Sequence, residues 1–132
     1  RIVVITGVFM IILAIIFGAF GAHALKIRLG QAELESFEVG VRYQMYHGLA
    51  LLFIGLNSRR LSISLRAFNT LVILGTILFS GSIYFLSLDE IIGTKLSFLG
   101  PVTPIGGLLL IVGWSSLLIN VLRTKDENQS RS

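Results

Sequence analysis

The side chains of this chain that could carry out chemistry lie beside or within long apolar segments. In the stretch FEVGVRYQMYH, Glu38, Arg42 and Tyr46 recur every four residues, so on a helix they share one face. His47 falls on another face, about 140° from Arg42, and His23 ends the preceding apolar segment. Because ionisable groups inside a membrane segment often mark a proton or solute path, these five residues form the candidate functional cluster.

Each of these residues also has a structural interpretation. A neutral His47 would hydrogen-bond to a neighbouring helix, and His23 would be a polar residue in the last turn of a helix at the membrane surface. Glu38 precedes Arg42 by four residues, which is the favourable order for an ion pair on a helix. We therefore expect Glu38 to anchor Arg42 at the membrane boundary, with the aliphatic stem of Arg42 on apolar surface.

No cofactor, metal site or catalytic centre is predicted. Two histidines could hold a b-type haem, but His23 lies at a helix end and His47 lies much deeper, so one haem does not suit both. Glu35 and Glu38 could add metal ligands, yet the spacing matches no recognised site. The chain has no cysteine, which excludes thiol catalysis and thiolate metal sites. Because the sequence suggests no nucleophile–base pair and no cofactor motif, we expect that the protein is not an enzyme.

The composition is that of a membrane protein. The mean hydropathy is +0.85, 54% of the residues are hydrophobic and 14% are charged, far from the values of a soluble domain. Four uncharged runs are separated by charged connectors, and helices are the form in which such runs cross about 30 Å of hydrocarbon. The sequence therefore predicts an all-α, four-helix transmembrane bundle, a single domain over residues 1–132 with helices at about 3–25, 31–57, 67–88 and 104–122.

The first apolar run raises the alternative of a secretory signal peptide, since Ala22-His23-Ala24 resembles a small-x-small cleavage site. The uncharged run over residues 2–25 is too long for a signal core, however, and further spans follow it. We predict a retained helix. Because the first residue is Arg1 rather than methionine, the sequence leaves open whether residues precede it.

The distribution of basic residues predicts the orientation of the helices. Seven Lys and Arg residues fall in the N-terminus, the second connector and the C-terminal tail, and four fall on the other side. Cytoplasmic segments carry the excess of Lys and Arg, so both termini are predicted to be cytoplasmic. The net charge of +4 reflects this topology. No basic, aromatic surface indicates a nucleic-acid partner.

Small residues predict how the helices pack. In the first helix Ala14, Gly18 and Ala22 recur every four residues and form a small-residue stripe, which lets another helix approach closely. In the fourth helix Gly106 and Gly113 lie seven residues apart on one face and form a second stripe. Both stripes are predicted to be helix-packing surfaces.

Polar residues form a row along one face of the third helix, and such rows usually supply interhelical hydrogen bonds of about 0.6 kcal/mol each. The row consists of Asn69, Thr76, Ser80 and Ser87. At the start of the fourth helix, Thr103 is predicted to cap the helix while Pro104 occupies its first position.

Four segments of the chain resemble one known family. The segments GAFGAHALK, FEVGVRYQMYHGLALL, FSGSIYFL and GPVTPIGGLLLIVGW are similar to the YgdD/YwdK-type family of small four-helix bacterial membrane proteins of unknown function. The resemblance covers nearly the whole chain and keeps the order of the segments. It implies a bacterial inner (plasma) membrane protein with four spans, and it carries over no activity, cofactor or site residue.

Two functions remain after an enzyme is set aside. An accessory, assembly or structural subunit would pack, within the lipid bilayer, against other integral membrane proteins or against a second copy of itself. This function fits the short connectors and the small-residue faces, and it is the one that we expect. The alternative is a conduit for protons or a small solute, with a polar entrance at Glu38, Arg42, Tyr46 and His47.

Overall fold

Four long helices form the protein. The computed structural model describes residues 1–61 and 63–130, without the side chains of residues 126–128, and all regular structure in that part of the chain is helical. The helices are α1 Ile2–Phe20, α2 Gln31–Asn57, α3 Arg66–Ile92 and α4 Val102–Ser130, with a π-helical turn at Gly21–Leu25 directly after α1 and a 3₁₀ turn at Ser97–Leu99 before α4. The predicted all-α fold with four helices is confirmed.

The end of α3 differs from the prediction. The helix continues past residue 88, through Asp89 and Glu90, to Ile92. Gly93 ends the helix, because its backbone adopts a φ of 81° and its N–H donates to the carbonyl oxygen of Asp89 at 2.9 Å. Glycine adopts this left-handed conformation at little cost. The end was predicted at the last uncharged residue of the apolar run, whereas the helix continues until a glycine ends it.

Both ends of α4 also differ from the prediction. The helix begins at Val102 instead of residue 104, and it continues to Ser130 instead of residue 122. Thr103 is therefore not the cap but lies in the first turn. Pro104 follows it, still within the turn where a backbone N–H needs no helical partner. The polar tail lies beyond the apolar stretch and stays helical because Lys, Arg, Glu and Gln are good helix formers.

Consecutive helices are antiparallel and lie side by side in chain order. Gly7 of α1 lies against Gly48 of α2, and Gly21 lies against Phe37, so the two helices run in opposite directions. The same reversed order relates α2 to α3 and α3 to α4. Helix α1 packs mainly on α2, and α4 packs mainly on α3. Both termini therefore lie at one end of the molecule; that this end is cytoplasmic stays a prediction.

Three stretches of the described chain are long and apolar enough to cross a membrane, namely Ile2–Leu25, Arg66–Ile92 and Ser97–Lys125. Helix α2 is not among them, because polar residues such as Arg42, Gln44 and His47 lower its hydropathy. Its 27 residues nevertheless extend for about 40 Å at about 1.5 Å per residue. The packing of α2 between α1 and α3 is what supports a fourth crossing.

Glycines set the closest approaches between helices. A Cβ atom at Gly7 would lie 2.8 Å from the carbonyl oxygen of Gly48, and one at Gly106 would lie 2.8 Å from Cα of Phe79 and 2.9 Å from the carbonyl oxygen of Gly75. A Cβ atom cannot approach backbone this closely without displacing it, since helix interiors are already densely packed. Helices α1 and α2 therefore meet at Gly7, and α3 and α4 meet at Gly106.

The predicted stripe on α1 takes part in this packing at Ala14 and, less closely, at Gly18. Ala14 is buried, whereas a Cβ atom at Gly18 would make an ordinary contact of 3.5 Å with Val41. Ala22 is exposed, so it does not pack between the helices of this chain, and its packing against a helix of another protein stays a prediction. The π-helical turn that begins at Gly21 changes the rotation of the chain per residue, and it buries Gly21 in place of Ala22. On α4, Gly113 is buried against α3.

The apolar core lies toward the end of the molecule that holds the termini. Phe68, Leu51 and Val72 are its most deeply buried side chains, and the core cluster consists of Met10, Leu51, Ile54, Leu65, Phe68, Val72 and Leu110. The middle of the molecule and its opposite half contain interhelical polar side chains beside the buried apolar residues Leu25, Phe37 and Ile83. The polar side chains join the helices and form the candidate site.

Candidate functional site

Gln44 joins three helices at the centre of the molecule. Its side chain is 6% exposed. The Nε2 amide donates to the carbonyl oxygen of Met10 on α1 at 2.9 Å, and Oε1 accepts from the hydroxyl of Tyr84 on α3 at 2.7 Å. A buried amide that keeps both its donor and its acceptor engaged avoids the cost of an unpaired polar group in a low-dielectric interior. Gln44 therefore holds α1, α2 and α3 together.

Aromatic rings surround the hydroxyl end of this link. The ring of Tyr84 lies 5.1 Å from that of Phe17 on α1 and 5.1 Å from that of Phe37 on α2, measured between centroids. Phe17 and Phe37 lie 6.5 Å apart in an edge-on arrangement. Such pairs add about 0.5–1.5 kcal/mol beyond the area they bury. The polar contact between Gln44 and Tyr84 is thus enclosed by apolar surface.

His47 connects α2 to α4 in a defined protonation state. Its Nε2 accepts a hydrogen bond from the indole Nε1–H of Trp114 at 3.0 Å, and its Nδ1 lies 2.7 Å from the carbonyl oxygen of Tyr43. An indole N–H can only donate and a carbonyl oxygen can only accept. The ring proton therefore sits on Nδ1, and a neutral imidazole satisfies both ring nitrogens of this side chain, which is 6% exposed.

Hydroxyl groups form two further links. Ser80 Oγ of α3 donates to the carbonyl oxygen of Gly40 on α2 at 2.8 Å. Ser82 Oγ donates to the carbonyl oxygen of Phe79 at 3.0 Å and lies 2.5 Å from Thr103 Oγ1 on α4. Because the Ser82 proton is directed at a carbonyl, Thr103 is the donor between the two hydroxyls. These bonds join α2 to α3 and α3 to α4.

The residues of the polar row predicted on α3 differ in whether their side chains have hydrogen-bond partners. Ser80 forms the expected interhelical bond, but Thr76 Oγ1, Ser87 Oγ and Asn69 Oδ1 are buried without a partner. Ser82, which the predicted row did not include, binds Thr103 instead. Thr103 was expected to cap α4, and its hydroxyl is used between helices because α4 begins at Val102, two residues before the predicted start. Side-chain periodicity placed the row inside the bundle but did not identify the partners.

The predicted candidate cluster is not assembled. Glu38, Arg42 and Tyr46 lie on the exposed face of α2, His47 faces the other helices, and His23 is exposed in the π-helical turn. Within the described residues, neither Glu38 nor Arg42 takes part in an ion pair, so the expected anchoring of Arg42 is wrong. An exposed pair gains little from being held together, because solvent screens it and two flexible side chains must be ordered.

Four residues whose side chains hydrogen-bond between helices were not predicted from the sequence, namely Gln44, Ser82, Tyr84 and Trp114. A pattern that could have revealed Gln44 is its position between Gly40 and Gly48, four residues from each. Glycines at this spacing mark the face on which another helix approaches, and an amide on that face needs partners. The roles of Tyr84 and Trp114 depend on contacts that are distant in sequence.

The histidines do not form a site for haem or for a metal ion. Both ring nitrogens of His47 are engaged, by Trp114 and by the Tyr43 carbonyl oxygen, and ligation through Nε2 would break the bond to α4. His23 is exposed and lies in another element. Within the part of the chain described, no group of three or more His, Asp or Glu side chains is arranged to hold a metal ion.

Comparison with known proteins identifies relatives over nearly the full length. The family described as "Protein of unknown function (DUF423)" matches residues 17–107. A UPF0382 membrane protein of Staphylococcus epidermidis is 42% identical over 123 residues, covering 93% of this chain and 97% of the relative. The UPF0382 inner membrane protein YgdD of Escherichia coli (strain K12) is 37% identical over 133 residues, covering 95% and 98%. YwdK of Bacillus subtilis, a UPF0382 membrane protein, is 34% identical over 125 residues, covering 93% and 98%.

No solved structure matches the chain. The matched family region contains α2 and α3 completely, with Gln44, His47 and Tyr84, and it ends before Trp114. The resemblance inferred from the four sequence segments is confirmed by these relatives. This chain therefore belongs to the DUF423 family of unknown function and is a multi-pass helical protein of the bacterial inner membrane.

Proposed function

We propose that the protein is an accessory or structural subunit that packs against other integral membrane proteins and has no catalytic role of its own. The observation that carries this proposal is the pairing of three polar side chains between the helices. Gln44, Tyr84 and His47 use their hydrogen bonds to join the helices of this chain. A structural subunit needs such bonds, whereas a relay needs a buried group that can take up and release a proton.

His47 is the decisive residue in this comparison. If the ring gained a second proton, on Nε2, that N–H would point at the indole N–H of Trp114, and two donors would face each other. Proton transfer through His47 would thus require α2 and α4 to separate or the indole to rotate. The arrangement favours a permanent interhelical bond.

The uncovered side of α1 supports the presence of a partner. Of the 18 most apolar consecutive residues in the stretch that contains α1, 11% are buried within the chain, compared with 39% of those in α3. Near its end, α1 presents exposed Ala19 and half-buried Gly18, and the π-helical turn adds exposed Ala22. Small side chains on an outward face let a helix of another protein approach closely in lipid.

The conduit gains no support from the proposed entrance. Glu38, Arg42 and Tyr46 face away from the bundle, and His47 is buried on another face of the same helix. These four residues do not converge on one opening. A test of flux nevertheless separates the two functions, because a structural subunit by itself should not conduct.

The experiment is purification of tagged protein from native membranes in a mild detergent, followed by identification of what co-purifies. We expect a larger integral membrane protein in a fixed ratio to the wild type. Ala22→Leu should reduce recovery of that partner without changing helicity or thermal stability, since Ala22 is exposed in this chain. Ala22→Ser keeps the side chain small and is the matched control.

Two results would contradict the proposal. One is a protein that purifies alone or only with copies of itself. The other is proton flux in reconstituted vesicles of the wild type that disappears in a well-folded His47→Gln variant, because glutamine cannot titrate near neutral pH. We expect no flux from either protein.

A further inference from the structure

Two cavities lie in line along the same side of the bundle, between α2 and α4. The end cavity, of about 420 Å³, lies where α2 and α4 begin and α3 ends, and its lining includes Glu33, Ser36, Ser87 and Thr103. The middle cavity, of about 550 Å³, lies nearer the centre of the bundle, and its lining includes Tyr43, His47, Phe79, Gly107 and Trp114. Helix α3 forms the floor of both.

The spacing of the lining residues places the cavities end to end. Along α3 they are Ser87 and Ile83 in the end cavity and then Phe79 in the middle cavity, four residues apart each time. Along α4, Gly107 follows Thr103 by four residues. Residues at this spacing occupy one face of a helix, so the two cavities follow one another along one side of the molecule, which we call the groove.

The end cavity contains polar groups that the protein itself leaves unpaired. Ser87 is 4% exposed, and its Oγ has no hydrogen-bond partner. The Glu33 carboxylate is half-buried, and within the described residues it takes part in no ion pair. An unpaired buried hydroxyl and an unneutralised carboxylate beside lipid both cost free energy. A ligand with a cationic hydrogen-bond donor would satisfy both groups.

The middle cavity suits a hydrocarbon chain. Phe79, Leu110 and Ile111 line it, and Gly107 leaves room beside the Phe79 ring. The His47–Trp114 hydrogen bond crosses from α2 to α4 and closes this end of the groove. A chain that enters from the end cavity would therefore stop at Trp114.

The length of the groove matches one leaflet of a bilayer. From Thr103 to Trp114 is eleven residues, or about 16 Å along the helix axis, and half of the hydrocarbon thickness is about 15 Å. The polar end therefore lies at the depth of the lipid headgroups, and the closed end lies near the midplane. A lipid of one leaflet fits these two depths at once.

We propose that this groove binds an aminophospholipid from the leaflet opposite the termini, with its primary ammonium at Glu33 and Ser87 and one acyl chain along Phe79 and Gly107. The ammonium donates to the Glu33 carboxylate as a charge-assisted hydrogen bond and to Ser87 Oγ. The phosphate lies toward the first turn of α4, whose free N–H groups favour an anion. Among the described lining residues of the two cavities there is no Lys or Arg, so a purely anionic headgroup is disfavoured.

The test measures which lipid the purified full-length chain retains. The protein is delipidated in neutral detergent and supplied with phosphatidylethanolamine, phosphatidylcholine or phosphatidylglycerol, and bound lipid is counted by native mass spectrometry. We expect retention of phosphatidylethanolamine to exceed the other two by about tenfold, the factor that one hydrogen bond to a charged group readily supplies. Phosphatidylcholine lacks an ammonium proton, and phosphatidylglycerol lacks the cation.

Two pairs of variants locate the site. Glu33→Gln should lose about tenfold in phosphatidylethanolamine retention. Glu35→Gln should keep it, because the Glu35 carboxylate accepts from Gln31 and Glu35 is not among the lining residues of the cavity. Gly107→Leu fills the middle cavity and should abolish retention. Gly81→Leu adds the same side chain on the opposite side of α3, where nothing lies within 4 Å, and should retain the lipid.

Equal retention of the three lipids, or a preference for phosphatidylglycerol, would overturn the proposal. So would unchanged retention in both Glu33→Gln and Gly107→Leu. A Cβ atom at Gly107 lies 3.7 Å from the Phe79 ring, an ordinary contact, so the variant is expected to fold. If Gly107→Leu fails to fold, the Glu33→Gln and Glu35→Gln pair decides the question alone.

Discussion

At the scale of single residues, the bond between Trp114 and His47 determines which ring nitrogen carries the proton. We expect ¹⁵N NMR of the protein at neutral pH to show a protonated Nδ1 and an unprotonated Nε2, because Nε2 receives the indole proton and Nδ1 faces a carbonyl oxygen. Trp114→Phe removes the donor and should raise the population of the Nε2–H tautomer. A wild-type spectrum dominated by Nε2–H or by imidazolium would contradict the assigned bond.

Two hydroxyl groups on α3 should respond in opposite ways to removal. Thr76 Oγ1 is buried without a partner, so Thr76→Val should raise the free energy of unfolding by about 1 kcal/mol, since valine keeps the shape and removes the unpaired group. Ser80 Oγ donates to Gly40 O, so Ser80→Ala should lower it by about 0.6 kcal/mol. Reversible unfolding in mixed micelles measures both. If both variants changed the free energy of unfolding in the same direction, the presence or absence of a hydrogen-bond partner would not explain the contribution of these hydroxyls.

The buried polar positions were more predictable from the sequence than their hydrogen-bond partners. Helical periodicity placed His47, Thr76 and Ser80 inside the bundle, because a polar side chain in lipid is costly wherever it has no partner. It could not show that His47 would meet Trp114, which is 67 positions away. The partner depends on the rotation and the register of α4, and these follow from packing over the whole interface.

At the scale of the helices, two neighbouring glycines on α4 should differ sharply. Gly106→Ala places a methyl group against the Phe79 backbone and should cost about 1–3 kcal/mol through overpacking. Gly107→Ala makes only ordinary contacts, the closest 3.7 Å from the Phe79 ring, and should raise helix stability slightly, because alanine favours helix over glycine. Thermal unfolding in one detergent compares the two variants.

The corresponding comparison on α1 uses Gly7 and Gly18. A Cβ atom at Gly7 would lie 2.8 Å from backbone of α2, whereas at Gly18 it would lie 3.5 Å from a valine methyl. Gly7→Ala should therefore lower the unfolding temperature clearly and Gly18→Ala should not. If Gly18→Ala proves the more damaging variant, α1 and α2 meet at the predicted stripe rather than at Gly7.

Helix ends show why the sequence defined some elements better than others. Helix α2 coincides with the predicted 31–57, because Gly30 precedes its start and the apolar run ends at Asn57. The ends of α3 and α4 were predicted where the uncharged run stops, although a charge outside the hydrocarbon does not end a helix. Gly93 ends α3 through its positive φ. No glycine follows Gly113 within Val102–Ser130, so the polar tail of α4 stays helical.

At the scale of the whole molecule, the fold is a row of antiparallel helices more than a closed bundle. Helices α2 and α3 hold most of the buried residues, while α1 and α4 lie at the two sides and expose large apolar surfaces. In lipid the exposure of such surfaces does not destabilise the protein, since acyl chains are as apolar as leucine. The exposed sides of α1 and α4 are therefore available both to lipid and to other membrane proteins.

The orientation of this row across the membrane is tested most directly with single cysteines, because the chain has none of its own. Three exposed positions outside the longest apolar stretches serve as reporters, namely Ile27, Ser58 and Thr94. Ile27 and Thr94 lie at the end of the molecule opposite the termini, and Ser58 lies at the end that holds them. If the excess of basic residues marks the cytoplasm, a membrane-impermeant maleimide should label Ile27→Cys and Thr94→Cys in intact cells, and Ser58→Cys only after the membrane is permeabilised.

Ile27→Cys and Ser58→Cys together decide whether α2 crosses the membrane. Hydropathy does not identify α2 as a span, because the helix contains polar residues. The two positions flank α2, whose length of about 40 Å exceeds the hydrocarbon thickness of about 30 Å. Labelling from opposite faces would establish the crossing, whichever face is cytoplasmic. Labelling of both from one face would mean that α2 lies along the surface, and the hydrogen bonds from Gln44 to α1 and from Trp114 to α2 could not then exist as described.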